Sequence, residues 1–328
     1  MRKIYRKIAF CLMLALLPLF SCAPKDTYQT KYIFAMDTDV SIHISATSDV
    51  SELISECESL IYSIENKLSK TRTGSDVYRL NKGERVSCDA VTLAVLETAK
   101  KVYLLSGGAF DPTVSGLSDM WDECESANAL PSAERLDGEL SRVGFERVHI
   151  ENGEVWLDTG TKIDLGGVGK GYAETAVAAL IKENAQAYGV RGYMLDFGGM
   201  VGVFGEKAGG DDYRVGLRDP DDSGKNLGRV ELSEGYVSVS GDYERYVTVD
   251  GEKYHHIIDP KTGYPANSSV RSVAVICDDG ATADALSTAF FVMGYERSME
   301  FYEAGRFEAV FFMSNGEIKT TDGAKYIK

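Results

Sequence analysis

The chain lacks a C-x-x-C pair, an internal repeat, a low-complexity tract and a proline-rich linker. Its six cysteines, at positions 11, 22, 57, 88, 124 and 277, are scattered, so neither a zinc motif nor a dithiol redox motif is supported. Without a linker, 328 residues read as one domain or two intimately packed subdomains. Positive charge is scarce too: 35 Lys and Arg against 50 Asp and Glu leave a formal charge of -15. Such a surface repels nucleic acid and anionic lipid headgroups. It argues against a general nucleic-acid role but leaves room for a local basic pocket around a phosphate-bearing small molecule. The long apolar run at residues 8–20 is too short for a comfortable membrane span.

That run is informative in another way. Arg2, Lys3, Arg6 and Lys7 precede it, the layout of an export signal, and it ends in Leu19-Phe20-Ser21-Cys22. A small residue before a cysteine resembles the bacterial lipobox, so residues 1–21 read as a lipoprotein signal and Cys22 as the lipidated new N-terminus. A plain signal with an incidental cysteine is the alternative. Residues 22–30 then form a short tether, and residues 31–328 the functional domain, exported and held to a membrane by lipid alone. Losing the signal takes the formal charge from -15 to about -19. Export would permit a disulfide among Cys57, Cys88, Cys124 and Cys277, although spacing gives no connectivity.

Apolar alternation predicts one bent strand or two short ones over residues 32–44, and helical spacing of Leu53, Ile54, Cys57, Leu60, Ile61 and Ile64 predicts a helix over 50–67. Residues 69–81 read as a polar loop, and residues 91–106 as a helix ended by Gly107-Gly108. Residues 109–113 read as an exposed elbow that Pro112 keeps from being helical. A hairpin turns at Asn152-Gly153 within residues 148–157. Residues 163–171 lead from a strand into a helix reaching about 182. Further strands are expected at 193–199, 213–217, 236–240, 243–249, 272–277 and 309–313, with a helix at 281–293. There is no regular βαβα beat, so the fold class is α+β with largely antiparallel strands.

Polar chemistry concentrates in residues 254–265 and again in 281–288, which together read as a phosphate-and-metal site. The adjacent His255 and His256 would point to opposite faces of an extended strand. With Asp259 they therefore do not read as a two-histidine, one-carboxylate iron site, and a structural role for either stays open. Asp284 and Thr288, four residues apart on a helix with Ser287 beside them, share a face that suits a hard cation such as magnesium; capping and small-residue packing are the alternative. The glycine-rich segment 166–171 is not a P-loop, because Asp164 and Gly171 occupy the required Gly and Ser/Thr positions. Nor is it a dinucleotide fingerprint, because Tyr172 stands at the third glycine. Glycines entering a helix can expose N–H groups to a ligand, or can serve tight packing alone.

Taken in order, Ala35-Met36-Asp37-Thr38, residues 107–113, residues 164–171, Phe197-Gly198-Gly199, Ser240-Gly241-Asp242-Tyr243, residues 255–265 and residues 283–288 resemble the ApbE-type flavin transferases, also called FAD:protein FMN transferases. The resemblance runs from about residue 35 to 293. It implies a mixed α+β fold that binds FAD with Mg2+ at the pyrophosphate. FAD contacts would fall on Met36, Ala109, Phe110, Asp111, Asp164, Lys170 and Ile257. The metal would fall on the Gly167 carbonyl, the Asp284 carboxylate and the Thr288 hydroxyl, while Ser287 stands where many members have a second aspartate. The implied reaction moves FMN from FAD to a threonine hydroxyl of an exported acceptor, a flavin-dependent redox protein, and releases AMP. His256 would contact the reacting phosphate, stabilising charge or accepting the threonine proton from an unperturbed pKa near neutrality. Asp259 would fix the turn around Pro260 and Gly263.

Thr71 departs from the pattern, since family members often place an aromatic ring over the flavin there. Its loss implies a more open site in which water competes with the acceptor, so FAD pyrophosphatase activity yielding FMN and AMP is an alternative. A non-catalytic flavin-binding lipoprotein is a third reading.

Overall fold

The computed structural model describes residues 27–207, 212–222, 224–302 and 306–328. The expected signal, Cys22 and the first part of the tether lie outside them. The described chain opens on a hairpin of β1 (Thr27–Ala35) and β2 (Thr38–Ala46), whose register is unbroken along both strands. Val40, Ile42 and Ile44 alternate onto one face and are buried. The two-residue turn holds Met36 at φ 53° and Asp37 at φ 59°, a left-handed conformation that side chains disfavour. Backbone strain of that kind marks places the surrounding structure has reason to hold.

Six more strands extend the sheet: β3 (Val190–Phe197), β4 (Met200–Gly205), β5 (Glu234–Gly241), β6 (Val270–Cys277), β7 (Phe307–Met313) and β8 (Ile318–Thr320). Neighbours in this eight-stranded sheet follow chain order, and each pair is antiparallel. Long insertions between β2 and β3 and between β6 and β7 supply the helices. The longest are α1 (Ser51–Leu68), α2 (Ala90–Leu105), α3 (Ser115–Ala127), α4 (Gly166–Tyr188) and α5 (Gly280–Glu300).

Helices α1, α4 and α5 cover one face of the sheet, with α2 packed against them. The other face of β4 to β7 presents Val203, Val237, Ala274, Val310 and Phe312 to a three-stranded sheet made from Tyr213–Arg218, Asn226–Leu232 and Tyr326–Ile327. Both main cores share the central sheet, and a satellite core gathers Leu117 and Trp121 of α3 with Val249 and Ile258. Full burial of a side chain such as Phe290 or Phe311 stabilises the fold by about 1.5–3 kcal/mol relative to exposure.

The α+β architecture follows the expectation, with differences that have local causes. Within the expected loop 69–81, Asp76–Asn81 is helical: Ser75 Oγ caps it by accepting the Tyr78 N–H, and Val77 and Leu80 are buried. Residues 163–165 are not a strand. The Asn81 side-chain amide brackets the Ile163 backbone on both sides, and the Asp164 N–H donates to Pro112 O. The 109–113 elbow is buried rather than exposed, because Ser106 Oγ accepts the Phe110 N–H and Asp111 accepts from Thr113. Helix α4 runs on to Tyr188, where Gly189 adopts the left-handed cap. Gly294 (φ 77°) breaks α5 one residue after its expected end, and the helical assignment resumes beyond it. The expected strand 243–249 shortens to Tyr246–Val249, paired with Glu252–His255. Cys57, Cys88, Cys124 and Cys277 are unpaired thiols.

Candidate active site

A cavity of about 440 Å³ opens where the β1–β2 turn, the loop after α1, the buried elbow and the N-termini of α4 and α5 meet. That size falls within the roughly 300–1,000 Å³ of small-molecule sites. Met36, Thr71, Ala109, Phe110, Asp111, Asp164, Gly167, Lys170, His256, Ile257, Asp284 and Thr288 all line it. His255, Asp259 and Ser287 do not.

One corner is rich in oxygen. Helices α4 and α5 touch at Gly171 and Gly280, so closely that a Cβ on Gly171 would lie 2.1 Å from Gly280 O and 2.8 Å from Asp284 Cβ. Asp284, nearly buried, accepts the Gly171 N–H on Oδ2 at 3.0 Å, and its Oδ1 lies 3.8 Å from Lys170 Nζ. A Cβ on Gly167 would lie 3.6 Å from Thr288 Oγ1, which brings the glycine backbone against that hydroxyl. A carboxylate and a hydroxyl, with the Gly167 backbone beside them, form an oxygen-rich corner suited to a hard cation. Among the described residues no cluster of three His, Cys, Asp or Glu forms a cage. The oxygen set fits magnesium, which keeps waters and shares substrate phosphates. Ser287 faces away, bonded to Ser240 Oγ at 2.8 Å, Ser238 Oγ at 3.1 Å and Asp284 O at 2.9 Å, and so joins α5 to β5.

The glycine-rich segment enters α4 with Asp164 Oδ1 accepting the Gly166 N–H at 2.8 Å and Lys170 Nζ donating to Gly166 O at 3.0 Å. A helix N-terminus with an adjacent ammonium is a favourable place for phosphate charge.

The histidines separate, with His255 ending its strand and His256 in the bend that follows. His255 Nε2 meets Ala266 O at 2.9 Å and its ring stands edge-on to Phe291, a packing role. The His256 ring is open to the cavity, and its Nδ1 lies 3.0 Å from Arg245 O. A carbonyl can only accept, so Nδ1 carries the proton and Nε2 keeps the lone pair. Desolvation within the cavity wall lowers the His256 pKa to about 4, aided by the Arg245 and Lys170 cations. The shift is downward from the ordinary imidazole value near neutrality, and a neutral imidazole with its proton on Nδ1 can accept one at Nε2. Asp259 Oδ1 accepts the Lys261 N–H, and its carbonyl accepts from Thr262 and Gly263, which fixes the turn.

Several residues in or behind the cavity wall carry polar chemistry, and Lys70, Glu174 and Arg245 had no local signal. Lys70 bridges Asp164 at 3.0 Å and Asp119 at 3.4 Å; burial opposes its charge, but the two carboxylates hold its pKa above the usual value. Arg72 pairs with Glu65 at 2.8 Å, so the loop is pinned on both sides of the exposed Thr71. Burial raises the Asp111 pKa to about 6. Glu174, fully buried, accepts the Gly202 N–H at 2.7 Å, and desolvation raises its pKa well above the carboxylate range. Arg245 donates to Asp37 O at 3.1 Å while its own carbonyl holds His256. The partners of Lys70, Glu174 and Arg245 are distant in sequence, and spacing cannot reveal such pairs.

Comparison with known proteins agrees on one family. The model of the ApbE family matches residues 36–311. A Vibrio cholerae FAD:protein FMN transferase is 30% identical over 306 residues, covering 91% of this chain and 86% of its own. A Treponema pallidum protein of the same name is 31% identical, covering 84% and 81%. Among solved structures, the ApbE protein of Thermotoga maritima superposes with a TM-score of 0.82 at 33% identity, covering 90% of this chain and 97% of its own. The flavin transferase ApbE from Vibrio cholerae gives 0.76 at 27% identity, covering 90% and 97%.

Proposed function

The chain belongs to the ApbE family, and on that premise we propose that it transfers FMN from FAD to a threonine hydroxyl of an exported acceptor protein, with magnesium at the pyrophosphate and AMP as the leaving group. The observation that carries this reading is the meeting of Gly167, Asp284 and Thr288 with His256 on the wall of one cavity of about 440 Å³.

The Gly167 carbonyl, Asp284 and Thr288 would hold the metal. Magnesium, when bound, supplies charge neutralisation at the pyrophosphate. The chain's own residues do the rest. Lys170 and the α4 N-terminus hold phosphate charge. The threonine oxygen bonds to the FMN phosphorus as the P–O bond to AMP breaks, and AMP leaves with the bridging oxygen. His256 Nε2, its lone pair free because Nδ1–H is committed to Arg245 O, takes the threonine proton. Met36, Phe110 and Ile257 supply apolar wall, and Asp111 and Asp164 supply acceptors.

Thr71 favours a second reading at the same site. It is exposed at the cavity rim and offers no ring to cover a flavin, so water can replace the threonine and give FMN and AMP. Cys22 is proposed as the lipid anchor, residues 22–30 as the tether, and the extracytoplasmic membrane face as the location.

The test is incubation with FAD and Mg2+, with and without a threonine-bearing acceptor. AMP with flavin fluorescence fixed to the acceptor supports transfer, and AMP with free FMN in the acceptor-free tube supports hydrolysis. No AMP in either tube refutes both.

A further inference from the structure

Strand β1 is an edge of the central sheet, and its outer face is bare. The three-stranded sheet that covers β4 to β7 on this side leaves Tyr28, Tyr32 and Phe34 exposed by 48%, 73% and 66%. With Thr30 they alternate along one face, about 20 Å from Tyr28 to Phe34. The face is a built platform. His43 of β2 stacks on Tyr28 (5.7 Å) and meets Tyr32 edge-on (5.9 Å), with its ring nitrogens bonded to Thr30 and Ser41. Lys31 points to the opposite face, where it pairs with Glu58. Asp39, paired with Phe34, and Asp196, paired with Ser41, put carboxylates on this side, with His43 and Arg218 acting on Asp196. An uncharged aromatic strip on a chain of formal charge -15 is the kind of patch that marks a contact surface.

What it contacts follows from where the strip sits in the chain. Cys22 precedes Tyr28 by only six residues, which can span at most about 21 Å. Resting on the lipid-anchor reading above, we infer that the outer face of β1 lies against the headgroup layer of the bilayer that holds Cys22. Tyrosine suits that layer, being apolar in body and polar at the tip. Asp39 beside the strip and the overall negative charge favour zwitterionic over anionic lipid. Because β1 runs into the Met36-Asp37 turn that borders the cavity, the site opens near the bilayer surface. An acceptor threonine would then be met close to the membrane.

The test uses the lipidated protein on phosphatidylcholine vesicles, with Tyr32→Trp as reporter and Leu104→Trp, exposed on α2, as control. FAD turnover by each variant verifies the fold. The expected result is a blue shift of the Y32W emission and its quenching by lipid brominated near the headgroup. Neither should occur for L104W, and both should weaken as phosphatidylglycerol replaces phosphatidylcholine at low salt. Equal responses from the two reporters on vesicles that retain the protein overturn the inference. A Y32W shift that grows with protein concentration without lipid also overturns it and assigns the strip to a second copy of the chain. A mass lacking lipid on Cys22 overturns the anchor reading, and this placement with it, and is told apart by that mass.

Discussion

Replacing Asp284 with asparagine separates the duties of its two oxygens. Oδ2 accepts the Gly171 N–H at 3.0 Å, a structural contact that joins α4 to α5, while Oδ1 faces Lys170 at the cavity. Asparagine keeps the first contact by turning its carbonyl oxygen to Gly171, so the fold loses about 1 kcal/mol or less. What disappears is the charge, and with it the one carboxylate of the oxygen corner. For a metal ligand at a pyrophosphate that loss is worth about 3–4 kcal/mol of transition-state stabilisation, or roughly 10²–10³-fold in AMP release. Alanine goes further, because it leaves the Gly171 N–H buried without an acceptor and costs a further ~1–3 kcal/mol of stability. The assay is AMP release against Mg2+ concentration, paired with thermal melts with and without FAD and Mg2+. D284N should melt like the wild type without ligand, show little Mg2+-dependent rise and turn over slowly, while D284A should melt lower. Magnesium-dependent turnover by D284N within about tenfold of the wild type would refute the reasoning.

The remaining expectations concern other parts of the cavity. Because desolvation by the cavity wall lowers the His256 pKa to about 4, its accepting lone pair is present at neutral pH and is lost only on strong acidification, so the His256 limb of transfer should lie toward about pH 4, below the one Asp111 sets near pH 6. An acid limb centred near pH 6.5, the ordinary histidine value, that persists after Asp111→Asn removes the other cavity group titrating near pH 6 would sink this assignment. Thr71→Tyr should raise the ratio of acceptor-bound to free FMN by covering the rim; an unchanged ratio would show that water does not enter there. Gly171→Ala forces a Cβ against Gly280 O and should cost about 1–3 kcal/mol or more, read as a lower melting temperature; an unchanged melt would contradict the close helix crossing.

Much of this was legible in the sequence, and the exceptions share a cause. Helix α1 could be read from the spacing of Leu53, Ile54, Cys57, Ile61 and Ile64, and the hairpin at Asn152-Gly153 from its turn residues. The cavity gathers residues that ordered motifs had singled out. Residues 109–113 misled because a proline among polar groups reads as a surface turn. Their burial depends on hydrogen bonds from Ser106, Thr113 and Asp164, of which only the first two are near in sequence. The neutrality of His256 was hidden for a related reason: desolvation belongs to the assembled wall, not to the tripeptide around it.

The strand order of the central sheet has a consequence for when this chain can meet its substrate. Neighbouring strands follow chain order, yet the cavity takes wall residues from Met36 to Thr288, and β2 and β3 pair only after residues 47–189 have been placed between them. Closing so long a loop comes late in folding. A partly made chain therefore holds no dinucleotide, and FAD adds its binding energy only to the finished fold. Flavin concentration should set the lifetime of the native protein and leave the speed of reaching it unchanged.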